Sequence, residues 1–223
     1  MGRMTQAASL FAVKPHPVVI WHGLGDSAYA DGMQELATSL KSAFPGLYVH
    51  LVALEDTLSA DQKAGFFGNV NEQVEQVCDQ LASVPELSKG FDGIGFSQGG
   101  EHNAAARSEK LGPLNICWSG QFLRAYVQRC NKPAMRNLVT FGSQHQGVAD
   151  LPTCAPGQFF CRLAEGILRG GINTEYAQSH VVGAQYFRNP RDASSFEGYL
   201  EHNHFLTDIV SVTYSPPIVE CDD

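Results

Sequence analysis

The spacing of apolar positions changes period along the chain, and each change marks an element. Residues 17–21, Pro17-Val18-Val19-Ile20-Trp21, form a compact β-branched run ending at His22-Gly23, which predicts a buried strand and then a loop. From Asp31 the apolar residues are Met33, Leu36, Ala37, Leu40 and Phe44, the spacing of one helix face, stopped by Pro45-Gly46. Residues 47–54 read as a second strand. Val70, Val74, Val77, Cys78 and Leu81 then mark an amphipathic helix that closes before Pro85. Residues 91–96 read as a third strand, Phe122, Leu123, Tyr126 and Val127 as a helix, and residues 137–142 as a fourth strand.

Strands that alternate with helices predict an α/β domain with a mostly parallel sheet. The length of 223 residues suits one domain with a substantial core, with no internal repeat or linker. After Gly147 the pattern loosens. Residues 210–223, with Pro216-Pro217 and an acidic end, match no element and read as a loose tail.

Composition narrows the function classes. A hydrophobic fraction of 43% and a charged fraction of 17% describe a globular chain, not a disordered one. The formal charge is -8 and no Lys/Arg block occurs, so nucleic-acid binding has no electrostatic basis. No apolar stretch reaches the length of a bilayer span, so no transmembrane segment is expected. Arg3 followed by residues 7–13 has the flavour of a signal peptide, but Lys14 interrupts it and no small-residue cleavage site follows. This end reads as a ragged leader, and Gln6 breaks the myristoylation pattern. The six cysteines, Cys78, Cys117, Cys130, Cys154, Cys161 and Cys221, form no CxxC pair, and composition alone favours buried thiols.

The candidate chemistry lies where the third strand ends. Gly95-Phe96-Ser97-Gln98-Gly99 is a G-x-S-x-G pattern, whose sharp strand-to-helix turn exposes a serine hydroxyl as a nucleophile. The helix that follows directs its N-terminus toward negative charge developing there. The first strand ends in His22-Gly23-Leu24-Gly25-Asp26-Ser27, an HG-type loop. In α/β hydrolases such a loop supplies one oxyanion-hole amide and the residue after the nucleophile supplies the other. Those residues are Leu24 and Gln98. His22 is read as pinning the loop through its ring. Asp26 precedes Ser97, against this fold's order of serine, acid, histidine.

A general base would be a histidine downstream of Ser97. His102 is too near in sequence, His145 is a pocket candidate read first as a structural hydrogen bonder, and His180 falls in a helix-like stretch. His202 and His204 also suggest a metal pair, but no further ligand motif accompanies them. The sequence expectation is therefore no metal, and a nucleophile without its base.

The stretches VVIWHGLGDS, FFGNVNEQVEQVC, GFSQGG, QFLRAYVQRC, FGSQHQGV and HNHFLTDI, in that order, resemble the palmitoyl-protein thioesterase 1 family. That resemblance runs from about Pro17 to Ile209. It implies an α/β-hydrolase fold, incomplete at the C-terminus, and hydrolysis of long-chain acyl thioesters on protein cysteines. Ser97 would be the nucleophile, with Leu24 and Gln98 as the oxyanion hole, and no cofactor is implied. The implied partners are S-palmitoylated proteins or peptides and fatty acyl thioesters. It further implies disulfides Cys78–Cys130 and Cys154–Cys161, and with them a lysosomal, vacuolar or secreted location. His145 and His202 fall on family histidines outside the triad.

Two departures accompany the resemblance. In the family GFSQGG continues directly into QFLRA, whereas here residues 101–120 intervene. The match also stops after Ile209, before the family's catalytic Asp and His, so impaired activity is expected. Retained introns would explain both segments; the competing account is a shortened variant with a surface insertion. A lipase- or cutinase-like ester hydrolase and a non-catalytic acyl-binding protein are the alternative functions.

Overall fold

The computed structural model describes residues 14–96, 119–150, 154 and 156–210. In chain order the elements are β1 (Val18–Trp21), α1 (Asp31–Ala43), β2 (Val49–Leu51), α2 (Leu58–Phe66) and α3 (Val70–Ala82). They continue with β3 (Phe91–Phe96), α4 (Ser119–Arg129), β4 (Met135–Phe141), α5 (Phe159–Gly170) and α6 (Glu175–His180). The last are α7 (Val182–Gln185), α8 (Ala193–His202) and α9 (Leu206–Ile209). The strands form one parallel sheet in the order β2-β1-β3-β4. Parallel neighbours need crossovers, and helices supply them. This is the expected α/β architecture, arranged as in an α/β hydrolase.

Alternation along β1 sorts its side chains onto two faces. Ile20 faces a cluster with Met33 and Ala37 of α1 and Val49 of β2. Val19 and Trp21 face the larger core, built on Val74, Val77 and Leu81 of α3 and Phe122, Leu123 and Tyr126 of α4. Helices therefore flank both faces of the sheet.

The expected second strand is shorter than residues 47–54, because after Val52, whose amide still donates to the Ile20 carbonyl of β1, the chain finds other hydrogen-bond partners. The Leu54 amide donates to Asp61 Oδ1 at 2.8 Å, and the Ala53 and Leu54 carbonyls accept from Gln80 and Gln76 of α3. The fourth strand starts earlier than expected, at Met135, whose amide donates to Asn131 Oδ1.

The loose pattern after Gly147 conceals α5 to α9. Buried amides hold this region together. Gln185 Oε1 accepts from the Val70 amide at 2.8 Å, Gln178 Nε2 donates to the Ile172 and Ala184 carbonyls, and Asn203 Oδ1 accepts from the Phe205 and Leu206 amides. Val210, the first residue of the expected tail, is buried, and its amide closes α9 on the Leu206 carbonyl. The rest of that tail lies outside the described residues.

Disulfides join Cys78 to Cys130 and Cys154 to Cys161, which corrects the buried-thiol reading for those four. The first ties α3 to the end of α4. Cys117 and Cys221 lie outside the described residues. No described helix is long and apolar enough to cross a membrane.

Candidate active site

Strand order places the site. The chain leaves β1 toward β2 on one side, while β3 lies on the other and leads to β4. This reversal opens a crevice beyond the carboxyl ends of β1 and β3, where open parallel sheets bind ligands. Trp21 at the end of β1 is level with Gly95 of β3. Ser97 comes one residue after β3 ends at Phe96. Ser97 and Gln98 themselves lie outside the described residues, as does His102.

Leu24 sits in the loop that leaves β1 and is buried. The loop turns tightly, with the Asp26 amide donating to the Gly23 carbonyl at 3.1 Å. Gly25 has φ 75°, a left-handed conformation that costs glycine little. Among the described residues, the Leu24 N–H meets no hydrogen-bond acceptor.

His22 stacks on Trp21, and its Nδ1 donates to the Gly23 carbonyl at 3.0 Å. Its Nε2 stands 3.2 Å from Asp61 Oδ2, a contact that helps to hold the Asp61 carboxylate ionised. The ring is thus turned into the protein. Asp61, on α2, is fully buried and is the group that sequence reasoning missed. Its Oδ2 accepts from the Ser27 hydroxyl at 2.8 Å and the Ala28 amide at 3.0 Å, and its Oδ1 from the Leu54 amide. Burial alone would raise its pKa; His22, the Leu54 amide and the Ser27 hydroxyl outweigh that and hold it below the ordinary 3.8.

Ser27, Asp61 and His22 are the residue types of a catalytic triad in an unusable order. The Ser27 hydroxyl donates directly to the carboxylate, with no imidazole between them to take its proton, and Ser27 is fully buried. Nearby, Asp26 accepts from the Ser27 amide at 2.8 Å. Its pKa is raised, chiefly by burial.

His145 follows β4, on the other side of β3 from His22. Its Nε2 lies 3.2 Å from the Thr140 hydroxyl, and Arg124 of α4 donates to its carbonyl. Burial, and then Arg124, lowers its pKa. Gln121 of α4 donates to the neighbouring Gln144 carbonyl, so α4 and the loop after β4 are laced together. His180 ends α6 and stacks on Tyr176.

Phe122 of α4 stacks on Trp21 with centroids 3.9 Å apart. A small cavity of about 30 Å³ opens beside this pair and Leu24, walled also by Leu54, Val182 and Tyr186. A separate polar cavity of about 350 Å³ is bordered by His202, His204, Glu175 and Gln178. Among the described residues, no three His, Cys, Asp or Glu side chains are placed to hold a metal ion.

Sheet order, strand ends and an HG loop together define a hydrolase-like α/β protein with its crevice at the β1/β3 switch. Sequence comparison then gives the family. A model of the palmitoyl protein thioesterase family matches residues 17–108 and 101–214, two parts that overlap at 101–108. The chain belongs to that family. It is 35% identical over 207 residues to palmitoyl-protein thioesterase 1 of Caenorhabditis elegans, covering 92% of this chain and 62% of the relative. It is 35% identical over 192 residues to the palmitoyl-protein thioesterase-dolichyl pyrophosphate phosphatase fusion 1 of Schizosaccharomyces pombe, covering 86% and 27%. Palmitoyl-protein thioesterase 3 of Dictyostelium discoideum is 24% identical over 195 residues, covering 86% and 55%. The chain thus spans less than two thirds of the length of each of these relatives.

Proposed function

We propose that this chain carries the nucleophile half of a serine thioesterase acting on long-chain acyl groups attached to cysteines of S-palmitoylated proteins or peptides. The observation that carries the reading is β3 ending one residue before Ser97, at the sheet's switch point, beside the loop of Leu24. Ser97 Oγ attacks the thioester carbonyl while the Leu24 and Gln98 amides stabilise the oxyanion. Collapse of the tetrahedral intermediate breaks the C–S bond, the thiol leaves with a proton, and water then hydrolyses the acyl-serine.

The same reading holds that the family's catalytic Asp and His have no counterpart in these 223 residues, and that residues 101–120 are an insertion into the turn after the nucleophile. His22 and His145 are each held by other bonds, and the family match comes in two parts that overlap at residues 101–108. Turnover by this chain is therefore weak. Two disulfides favour an oxidising compartment, the lysosomal lumen or the secretory route.

The test compares a palmitoyl thioester with the matched oxyester, using the full chain and its Ser97→Ala variant. Slow hydrolysis that needs Ser97 and prefers the thioester is expected. An oxyester preference would make the protein a lipase-like hydrolase. Tight acyl binding without any Ser97-dependent turnover would make it a binding protein.

A further inference from the structure

Asp61 has a buried carboxylate that the thioesterase reading leaves unused. Burying a charge is costly unless its bonds are satisfied, and here they converge on one segment. Oδ2 takes the Ser27 hydroxyl and the Ala28 amide, at the far end of the loop after β1. The same oxygen lies 3.2 Å from Nε2 of His22, at the near end of that loop. Leu24 lies between these two anchors.

Asp61 is itself fixed. Its other oxygen accepts from the Leu54 amide, so the carboxylate joins the segment after β2 to the segment after β1. One helical turn along α2, Gly65 lies under the loop. A Cβ there would meet the Gly25 nitrogen at 3.4 Å, so the helix backbone approaches the loop closely. Two residues on one face of α2 therefore support the loop, one by charge and one by close approach.

We propose that Asp61 is a positioning residue for the oxyanion hole: it clamps both ends of the loop at residues 22–28 and so holds the Leu24 N–H aimed into the crevice. The amide then needs no reorganisation when negative charge develops, which is the condition for efficient electrostatic stabilisation. The role rests on the thioesterase reading for its use, but the clamp can be measured without any turnover.

The test is backbone ¹⁵N relaxation on the full chain, comparing the parent with Asp61→Asn and Ser27→Ala. In the parent the Leu24 N–H has the order parameter of rigid backbone, about 0.85, and in Asp61→Asn it falls toward about 0.6, with Val19 and Ile94 unchanged. The His22 ring ¹⁵N shifts move in the same variant. Ser27→Ala keeps the bonds of Asp61 to Ala28 and Leu54 and gives a smaller drop at Leu24. An unchanged Leu24 in a folded Asp61→Asn protein would overturn the proposal. So would a loss shared equally by β1 and β3, or unfolding of both variants, since either makes Asp61 a general stability residue. A parent without Ser97-dependent hydrolysis would instead count against the thioesterase reading and leave the relaxation result standing.

Discussion

Trp21 and Phe122 lie ring on ring, 3.9 Å between centroids and 9° from parallel. Trp21 ends β1 beside the crevice, and Phe122 is four residues into α4, on the far side of residues 97–118 from β3. α4 thus packs against the sheet beside β1, with Phe122, Leu123 and Tyr126 all buried.

Phe122→Ala removes this stack and leaves a cavity beside Leu24. It is expected to cost about 3–5 kcal/mol in urea unfolding, the range for a buried Phe truncated to Ala. A cost near zero would mean that α4 is not seated on β1.

Gly120 gives a second handle on the same helix. A Cβ at this position would run into the Ser143 side chain and Thr140 Cγ2. Removing residues 101–120 joins Gly100 to Gln121 and puts another glycine in that place. The shortened chain is expected to fold with a melting temperature no lower than the parent's. Gly120→Ala in the full chain is expected to lose about 1–3 kcal/mol by overpacking. Failure of the shortened chain to fold would contradict the view that the segment is dispensable.

The two disulfides differ in loop length, 52 residues against 7. Chain-entropy reasoning then gives about 4 kcal/mol for removing Cys78–Cys130 and about 2 for Cys154–Cys161. Paired Cys→Ser variants compared by denaturant midpoint check the order. The reverse order would show native-state packing outweighing loop closure.

Acid should weaken the fold in two stages. Burial lowers the His50 pKa against a raising bond from Gln80, and burial followed by Arg124 lowers that of His145. Below the ordinary 6.5 the unfolded chain therefore binds more protons, so stability is full above that value and falls as pH drops through the window beneath it. Asp61, lowered below 3.8, contributes stability that is present above 3.8 and lost as pH falls toward its folded value. Urea midpoints at pH 7 and pH 5 should differ less in a His50→Gln, His145→Gln double variant than in the parent. An identical decline would assign the acid sensitivity to other groups.

The parts of the fold that were legible in the sequence are those with an apolar run or an apolar period. Val18 to Trp21 is an unbroken β-branched and aromatic run buried on both faces, and the Met33, Leu36, Ala37 series repeats at the helical period, so strand, helix and the loop between could be read directly. Asp61 could not be found that way. Its partners His22, Ser27 and Ala28 are more than thirty residues away in sequence, and the nearer one, Leu54, contributes only a backbone amide that no side-chain pattern marks. Of the helices after Gly147, α5 does carry an apolar stripe, Cys161, Ala164 and Leu168, which the sequence reading passed over, whereas the short α6, α7 and α9 are held by Gln178, Gln185 and Asn203 through buried amide bonds that leave no such stripe. The disulfide pairing was legible only through family resemblance.

The most direct test of the central claim, a serine nucleophile and oxyanion hole without a resident base, is palmitoyl-thioester hydrolysis with and without added imidazole, corrected by the Ser97→Ala background. The account predicts at most a residual acceleration on the order of 10³–10⁴ over water without imidazole. It also predicts a Ser97-dependent rate that rises in proportion to imidazole as the free base substitutes for the missing histidine. Turnover of about 1 s⁻¹ or faster without imidazole, and unaffected by it, would contradict the account and mean that these 223 residues contain a working base.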